Sequence, residues 1–493
     1  MDQKNLNITL KQGLRAMGWL FLIVLFSTCQ DSLEEVPKAF LTPQNFYETA
    51  EDALLAVNAS YDHMASGTSN RDFGGVYFNN YWVVQALASD EGYASGANNP
   101  QYSLPLTNFT WDANNGYLED VWEDLYKTIN VTNIALQQIP IIEMDEDLKN
   151  RFLGECHFIR GLMYFELVRM FGDVPLSLEP TVDLSTISIS RTAVAEVYAQ
   201  IIIDLELARD QLPWAYYGVD MGRATRGAAG GYLTKVYLTL GEWQNAIDEA
   251  NEIIQSGVHE LMPNFGDIFK IENSNNSELL FSVNFTLNND AIWETSQFNV
   301  RVLPVELNKN SLSWELPTQY LYDLFDPSDL RRDVTFKVEW TDSSSGETYT
   351  FDPHIFKYWD EAAEPNASSS SSDFFNLRYA DLLLMKAEAL NELSGPTNEA
   401  FELIDQVRSR AGLDDLDITL NKEAFREAIL LERTKEFVFE GHRWFDLVRT
   451  GKLKEKVLLA KPSVIVDMSR HILFPIPQRE INVNPNLVQN PGY

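Results

Sequence analysis

The most extended pattern in the chain is the recurrence of apolar residues at three- and four-residue spacing, which predicts amphipathic helices. Residues 152–175 (FLGECHFIRGLMYFELVRMFGDVP) keep this spacing until Gly172 and Pro175, two residue types that end helices. A second helical pattern around 190–212 is expected to pair with 152–171. These two segments therefore predict one helix pair.

Later segments repeat the scheme. Residues 224–257 predict a helix, a turn at Gly241 and a second helix, and residues 378–413 do the same around the turn SGPTN. This spacing resembles a tetratricopeptide unit, in which neither helix can bury its apolar face alone. With a last long helix over 422–440, the pattern predicts three or four helix pairs in a right-handed scaffold.

Between the helical segments the pattern changes. Short apolar runs there alternate with Asn, Gly, Ser and other turn residues, which is typical of loops and short strands. The predicted fold class is mainly α, a tetratricopeptide-like helix-pair scaffold with a loop-rich lobe and short strands. The scaffold is assigned mainly to 40–63, 120–257 and 376–450, and the loop-rich ligand-binding elements to 64–119 and 258–375.

Residues 1–28 predict an export signal. Three basic residues within 4–15 precede an uncharged, largely apolar run at 16–26, about half the roughly 20 residues needed to cross a bilayer. Small residues then lead directly to Cys29, and the stretch LFSTC resembles a bacterial lipoprotein lipobox in which Thr28 replaces the usual Gly or Ala. An ordinary signal cut near Thr28, with an incidental Cys29, is the alternative.

The cysteine content and the net charge indicate how the protein can attach to a membrane and which partners it is unsuited to bind. Only Cys29 and Cys156 occur in 493 residues, so an exported chain has no disulfide framework and Cys29 is available for lipidation. Cys156 lies among apolar residues of a predicted helix and is expected to be an inert buried thiol. The net charge of −34 argues against nucleic acid and against polybasic attraction to anionic lipid. Membrane contact is therefore expected only through the lipid anchor.

Residues 432–452 (ERTKEFVFEGHRWFDLVRTGK) crowd charged and aromatic side chains together and raise the question of catalysis. The charged set is Glu436, Glu440, His442, Arg443 and Asp446. If 432–448 is helical, its apolar residues form a stripe that faces the scaffold, and the charges lie along the edge of that stripe. A catalytic interpretation would make His442 a base beside Glu440. No nucleophile motif lies nearby, so a structural role is favoured.

Signals for other chemistry are weak. Nothing singles out a glycosidase-like pair among the 72 Asp and Glu residues, the six His and two Cys lack zinc-site spacing, and the glycines form no phosphate-binding loop. The stretches SNNSELLF and DANNGYLED offer oxygen ligands for calcium, but neither has the spacing of a calcium loop. We therefore predict no catalytic residue, no metal site and no cofactor.

Several segments, in order along the chain, resemble the SusD/RagB outer-membrane lipoproteins of Bacteroidetes. They cover nearly the whole of the chain after residue 28, and the two C-terminal segments are the most specific. The segments are CQDSLEEVP, WEDLYKTINVTN (122–133), RGLMYFELVRMFGDVPL (160–176), GRATRGAAGGYLTKVYL (222–238), RYADLLLMKAEALNE (378–392), ERTKEFVFEGHRWFDLVRTGK (432–452) and FPIPQREINVNPNLVQNPGY (474–493).

The resemblance implies a lipoprotein anchored in the outer membrane and facing the outside of the cell. Such a protein captures nutrient, most often an oligosaccharide, and passes it to a SusC-like TonB-dependent transporter that it covers as a lid. The family is not enzymatic. Its fold is predominantly helical, with four tetratricopeptide-like helix pairs and a loop-rich lobe that carries the ligand site.

A sugar presents apolar C–H faces and a rim of hydroxyls, so its site calls for exposed aromatic rings with polar side chains placed for hydrogen bonds. The stretches 78–103, 284–301 and 311–325 supply this combination. The resemblance places ligand aromatics in the loop-rich regions without fixing them residue by residue, and core packing is the alternative for each ring. The candidates are Asn79, Asn80, Tyr81, Trp82, Asp90, Tyr93, Tyr102, Trp293, Phe298, Arg301 and Trp314.

Two alternative functions stay open. Some members of the family serve peptide uptake, and a peptide-binding lid would rely on backbone hydrogen bonds and a deeper cleft. A surface glycoside hydrolase is a remote alternative, which predicts glycan turnover and a carboxylate pair in the cleft.

Overall fold

The helical spacing of the sequence is realised in the computed structural model, which describes residues 47–65, 75–181, 183, 188–287, 295–307, 311–341, 345–360 and 370–493. These residues contain 17 α-helices and six short strands, and the predicted fold class is confirmed. The helices are α1 Ala50–Ala65, α2 Asn80–Leu87, α3 Pro100–Asn108, α4 Gly116–Gln138, α5 Glu146–Phe171, α6 Val194–Gln211, α7 Arg226–Leu240, α8 Trp243–Ser256, α9 Phe298–Val302, α10 Gln319–Asp323, α11 Arg332–Thr335, α12 Tyr379–Ser394, α13 Asn398–Arg410, α14 Lys422–Glu436, α15 Arg443–Arg449, α16 Leu453–Ala460 and α17 Gln478–Val483.

The long helices pack side by side in an array. Helix α1 contacts α4, and from α4 to α8 each helix contacts the next; α8 then contacts α12, which carries both α13 and α14. Each helix thus buries apolar surface against its neighbours, as in tetratricopeptide-like pairs. The predicted pairing of 152–171 with 190–212 is confirmed as α5 against α6. The predicted turns also occur, at Gly241 between α7 and α8 and at SGPTN between α12 and α13.

Two glycines of this scaffold have a physical reason to be glycine. Gly241 ends α7 with φ +75°, a left-handed conformation that other residues adopt only with strain. Gly231 in α7 lies where a Cβ would meet Leu377 Cδ2 at 2.5 Å and Leu280 Cδ2 at 2.8 Å. Helix α7 therefore approaches the strands that carry these leucines more closely than a side chain would allow.

The strands form three separate antiparallel pairs in the described residues. Strand β1 (Gly92–Ala94) pairs with β3 (Glu315–Pro317), β2 (Leu279–Val283) with β6 (Phe374–Arg378), and β4 (Phe336–Thr341) with β5 (Thr348–Ile355). Strands β2 and β6 are buried along their whole length against α7, whereas β1 and β3 expose every second residue. Strands β4 and β5 are also largely exposed, so both the β1–β3 pair and the β4–β5 pair present half-exposed ribbons.

The last predicted helix, 422–440, is shorter than its pattern indicated. Helix α14 ends at Glu436, and Phe439 and Gly441 adopt φ +57° and +76° before α15 begins at Arg443. Left-handed residues cannot continue a right-handed helix. The predicted helix over 422–440 therefore ends early, and the condition of one helix over 432–448 is not met.

Residues Thr49–Tyr493 form one compact unit around a continuous cluster of buried aliphatic and aromatic side chains. Within the part of the chain that the structure describes, no helix combines the length and the apolar character needed to cross a membrane. The predicted signal, residues 1–28, and the predicted lipidation site Cys29 lie outside the described residues. Cys156 is buried in α5, and burial raises the pKa of its thiol far above the ordinary value, as expected for an inert group.

Candidate functional site

The charged residues of the 432–449 segment lie mostly in the interior, where they form ion pairs, and two of them, Glu436 and Glu440, pair with Arg378. The Arg378 guanidinium is fully buried at the end of β6, where its Nε and Nη2 donate to both carboxylate oxygens of Glu440 at 2.8 and 3.0 Å. Its Nη1 donates to Glu278 at 2.7 Å and to Glu436 at 2.9 Å. One arginine thus joins three carboxylates, from the residue before β2, from α14 and from the turn after α14.

Further cations balance these carboxylates. Lys357 Nζ donates to Glu440 Oε1 at 2.6 Å, and Arg331 Nη1 donates to Glu436 Oε2 at 3.0 Å. Burial by itself would raise the pKa of Glu436, but the guanidinium groups of Arg410, Arg378 and Arg331 outweigh it and hold this pKa well below its usual range. An ionised carboxylate enclosed by cations is a poor proton acceptor, so the network is suited to holding segments together.

The pair that a catalytic interpretation requires, His442 beside Glu440, has other partners. His442 Nδ1 lies 3.2 Å from Lys235 Nζ and 3.9 Å from Asp381 Oδ2. Burial and then the charge of Lys235 hold the pKa of His442 well below its usual value, so its imidazole is neutral. Both oxygens of Glu440 are bound by Arg378 and Lys357. These contacts agree with the structural role that the sequence favoured.

The β1–β3 ribbon presents a very different surface. Tyr93 lies opposite Leu316, and Ser95 N–H donates to the Trp314 carbonyl at 2.9 Å, so the same register continues one residue beyond the strands. Side chains at alternate positions share a face of a strand, which places Tyr93, Ser95, Trp314 and Leu316 on one side. This is the outward side, because the intervening residues Gly92, Ala94, Glu315 and Pro317 are buried whereas these four are partly or fully exposed. We call this set the aromatic shelf.

Helix α3 and the loop before it border the shelf. The Ala94 N–H donates to Thr107 Oγ1 at 2.9 Å and ties β1 to α3. Tyr102, half-buried at the start of α3, packs against Tyr117 with 5.7 Å between ring centroids, and Asn98 Nδ2 donates to the Tyr117 hydroxyl at 3.4 Å. Polar amide groups and a further aromatic ring therefore lie at the edge of the ribbon.

The residues just before β1 are hydrogen-bonded to the buried 432–449 segment. Arg443 Nε and Nη2 donate to the two oxygens of Asp90 at 2.8 and 2.6 Å, just before β1 begins. The N–H of Phe439 donates to Glu91 Oε1 at 2.7 Å, and Thr318 Oγ1 donates to the Asp90 carbonyl at 2.6 Å. Burial raises the pKa of Glu91 to about 8, although the bond from Phe439 opposes this shift. The turn after α14 therefore fixes where the shelf begins.

The structure divides the predicted ligand-binding residues into two groups. Three of them, Tyr93, Tyr102 and Trp314, are partly exposed in or beside the shelf. The buried group is Asn79, Asn80, Tyr81, Trp82, Asp90, Phe298 and Arg301. Trp293 lies outside the described residues, so its role stays a prediction.

The buried group makes interior contacts instead of offering a surface. Trp82 is 1% exposed and stacks on Phe298 at 4.8 Å between ring centroids, and Phe298 stacks on Tyr358 at 3.9 Å. Asn80 Nδ2 donates to Asp120 at 3.1 Å, and the Tyr81 hydroxyl donates to a carboxylate oxygen of α5. Helix α2 is buried at every position, so residues that looked surface-like lie inside the core, where Asn80 Oδ1 and Trp82 Nε1 have no hydrogen-bond partner among the described residues.

Three residues in or near the shelf were not among the candidates found in the sequence: Asn98, Leu316 and Asp352. Asp352 is exposed on β5, and its charge adds to partial burial in raising the pKa of the Tyr93 hydroxyl. The alternation W-E-L-P in residues 314–317 indicates a strand with two different faces, but it predicts Trp314 and Leu316 on the buried face, the reverse of the observed arrangement in which Glu315 is buried. The pairing of this stretch with residues 92–95 is a long-range contact that neither stretch indicates alone.

Other concave surfaces lie away from the shelf. A cleft of about 460 Å³ opens between α1, the loop before α7 and the strand β2, and its lining includes Tyr61, Arg223 and Phe281. Among the described residues, no three His, Cys, Asp or Glu side chains are grouped as metal ligands. The aromatic shelf combines partly exposed rings with neighbouring amides, and a second group of partly exposed rings, Trp340, Phe356 and Trp359, packs together at β4 and after β5.

Known protein families and individual proteins are similar to this chain. A profile described as "SusD family" matches residues 330–493, and one described as "Starch-binding associating with outer membrane" matches residues 46–238. The SusD-like protein P2 of Formosa agariphila is 31% identical over 96% of this chain and 99% of its own length. The chain belongs to the SusD/RagB family. The resemblance found in the sequence is thereby confirmed.

Solved SusD-like structures share the fold. A structure named "Laminarin binding SusD-like protein" is 27% identical and covers 91% of this chain and all of its own, with a TM-score of 0.77. Surface glycan-binding protein A from Bacteroides fluxus is 25% identical over 90% of this chain and all of its own, with a TM-score of 0.76. The helix-pair scaffold described above is therefore that of the SusD fold.

Proposed function

We propose that this chain binds an oligosaccharide on the aromatic shelf. The observation that carries the proposal is the outward face of the β1–β3 ribbon, where Tyr93 and Trp314 share one side. Flat rings suit the apolar C–H face of a sugar, and the amides of Asn98 and Asn99 at the ribbon edge suit its hydroxyls. The names of the two similar structures, one a laminarin-binding protein and one a surface glycan-binding protein, support this ligand class.

The cellular role that we propose follows the family. The chain is anchored to the outer membrane through lipid on Cys29, faces the outside of the cell, and delivers its glycan to a SusC-like TonB-dependent transporter. The family description "associating with outer membrane" supports this location. No catalytic step is part of the proposal, because the cluster that first suggested chemistry is a network of buried ion pairs.

The shelf is tested by affinity gel electrophoresis in gels that contain laminarin, starch or the anionic polysaccharide alginate. Wild-type protein should be retarded by at least one of them, and Trp314→Ala should weaken that binding by about 1–3 kcal/mol, the scale of one lost aromatic contact. The control is Tyr217→Ala, which removes a ring that is 85% exposed but lies outside the shelf.

The outcomes separate the alternatives. Equal retardation of Trp314→Ala and wild type would move the glycan site away from the shelf. Binding of a peptide library without binding of any polysaccharide would support the peptide-uptake alternative. Release of shorter sugars during incubation with the purified protein would support the hydrolase alternative.

The anchor is tested separately, in the cells that produce the protein. Cys29→Ala should leave the protein in the soluble fraction, because the acylated residue is lost, whereas Cys156→Ala should stay with the membranes. Cys156 is the matched control because it is buried inside α5. Continued membrane attachment of Cys29→Ala would contradict the lipoprotein assignment.

A further inference from the structure

Arg301 lies directly beneath the aromatic shelf. Its guanidinium carbon is 5.2 Å from the Trp314 ring centroid and 5.8 Å from that of Trp82, and the residue is only 2% exposed. A buried guanidinium needs a counter-charge, and Nε and Nη2 donate to the two oxygens of Glu315 at 2.9 and 2.8 Å. The shelf tryptophan is thus the outer neighbour of a fixed, ion-paired cation.

The main chain of the same residue also holds Trp314. The Trp314 N–H donates to the Arg301 carbonyl at 2.6 Å, and the Leu312 N–H donates to the Val300 carbonyl at 2.8 Å. Between these two bonds, Ser313 adopts a left-handed conformation with φ +49°, and its hydroxyl donates to the Leu303 carbonyl at 3.1 Å. Backbone and side chain of one residue therefore define both where Trp314 leaves the chain and what lies beside its ring.

From this geometry we infer that Arg301 is a positioning residue for glycan binding, one that holds the indole of Trp314 as a preformed platform on the shelf. The inference rests on the proposed function, because it assigns Arg301 a role through Trp314 and no contact with the glycan. A ring held in place before binding loses less side-chain freedom when a ligand arrives, which favours affinity. Arg301 was a predicted ligand contact, and its burial gives it this indirect role.

Lysine cannot replace arginine here. A guanidinium is planar, binds a carboxylate through two parallel bonds and stacks on an aromatic face, whereas an ammonium is a compact point charge. Arg301→Lys keeps the charge but loses the two-bond contact with Glu315 and the flat contact with Trp314. We expect it to weaken binding of the retained polysaccharide by about three- to tenfold, the scale of a cation–π contact with a partly exposed ring.

The experiment is a double-mutant cycle measured by affinity gel electrophoresis on the polysaccharide that wild type retains, laminarin first. Four proteins are compared: wild type, Arg301→Lys, Trp314→Phe and the double variant. If Arg301 acts through the indole, Arg301→Lys should have less than about a twofold effect in the Trp314→Phe background. Unfolding of each protein in urea is measured in parallel, so that a loss of stability is not mistaken for a loss of affinity.

The matched control is Arg226→Lys. Arg226 makes the same kinds of contact away from the shelf at a more exposed position, 30% against 2% for Arg301. Its guanidinium carbon lies 5.4 Å from the Trp214 ring centroid, and its Nε and Nη2 both donate to Glu252 Oε1, at 2.9 and 2.6 Å. This variant should bind the polysaccharide like wild type. It therefore reports what the loss of an Arg–Trp–Glu contact does in general.

Each result decides something. Unchanged affinity of Arg301→Lys, or an equal loss in both Trp314 backgrounds, would overturn the positioning role while leaving the shelf intact. Wild-type affinity of Trp314→Phe and Trp314→Ala together would instead overturn the shelf, and the positioning role with it. If Arg301→Lys does not fold, Arg301→Met with Glu315→Leu removes both charges at once, a change that buried ion pairs often tolerate, and the same loss of affinity is expected.

Discussion

The 432–449 segment and the β1–β3 ribbon both carry aromatic residues, yet they differ in their access to water. In the segment, Arg443, Glu440 and Glu436 are at most 4% exposed, and each is matched by buried partners of opposite charge. In the ribbon, Tyr93 and Trp314 keep one side open to solvent above a buried layer. A cluster of charges next to aromatic rings therefore says little about function until its burial is known.

The two regions also depend on each other. The turn after α14 provides the Phe439 N–H for Glu91, and α15 provides Arg443 for Asp90, so both residues that lead into β1 are held from the buried segment. The rigid region positions the open one. Variants in the first should change stability, and variants in the second should change binding.

The largest expected effect is that of Arg378→Ala. This change removes one partner from each of three buried carboxylates, Glu278, Glu436 and Glu440. Breaking such a buried network should lower the free energy of unfolding by about 3–5 kcal/mol, because the remaining charges lose compensation while staying buried. Urea unfolding followed by tryptophan fluorescence measures it.

Its control is Arg479→Ala, at a surface ion pair. Arg479 is half exposed and lies 3.4 Å from Glu119, so its loss should change the free energy of unfolding by less than about 1 kcal/mol. A similar small effect of Arg378→Ala would show that the network contributes nothing to stability, and the contrast between the two regions would fail.

Arg443→Ala is the next test, because Asp90 joins the two regions. The change leaves Asp90 buried without its two-bond partner, so unfolding should become easier by about 3 kcal/mol. The affinity of the folded protein for polysaccharide should fall by less than about threefold, or roughly 0.7 kcal/mol. A large loss of affinity with unchanged stability would return the segment to the list of candidate active sites.

Much of the scaffold was predictable because its signals are local. The spacing around Gly241 predicts both helices of the α7–α8 pair, since periodicity and helix ends depend on neighbouring residues. The break after Glu436 escaped prediction because Phe439, a non-glycine residue, takes a left-handed conformation for its bond to Glu91, more than 300 positions away in sequence. A local sequence pattern cannot reveal a partner that is so distant in the sequence.

The site was predictable only in part, for the same reason. Tyr93, Tyr102 and Trp314 lie where sugar-binding residues were sought, but their meeting depends on the pairing of β1 with β3. Trp82 looked equally suitable next to Asn80, yet α2 is enclosed on all sides, and Asn80 donates to Asp120 inside the core. Composition indicates which residues suit a ligand, and the tertiary structure decides which of them reach the surface.

A third test uses pH, because Glu91 is buried without a direct counter-charge at the root of the ribbon. Burial raises the pKa of Glu91 from 4.5 to about 8, so folding keeps the carboxyl protonated where the unfolded chain would ionise it. Stability from this group is fully present below pH 4.5 and is lost as pH rises toward about 8. Glu91→Gln should therefore match wild type near pH 4.5 and already be more stable by about 2 kcal/mol at pH 6.

Neighbouring charged groups also change the stability with pH, so Glu91→Gln is compared with wild type at each pH. Asp90, Arg443 and Lys357 act on Glu91, and Lys461 titrates nearby with a pKa that burial lowers to about 7, so its contribution changes with the opposite sign above that pH. The difference between variant and wild type at each pH cancels the shared groups. A difference that does not grow with pH would show that Glu91 is ionised in the folded protein.

The smallest effect is expected from Tyr93→Ala, on the open side of the comparison. Tyr93 is only partly buried and has Leu316 opposite it, so its loss should weaken polysaccharide binding by about 1 kcal/mol, less than the loss of Trp314, and should leave unfolding within about 0.5 kcal/mol of wild type.

Tyr93→Phe separates the ring from the hydroxyl, whose pKa is raised by burial and by Asp352, so that it stays protonated at neutral pH. If the ring stacks on sugar, Tyr93→Phe should retain most of the affinity. If Tyr93→Phe binds as weakly as Tyr93→Ala, the hydroxyl is the contact, and the shelf recognises its ligand by hydrogen bonding at this position.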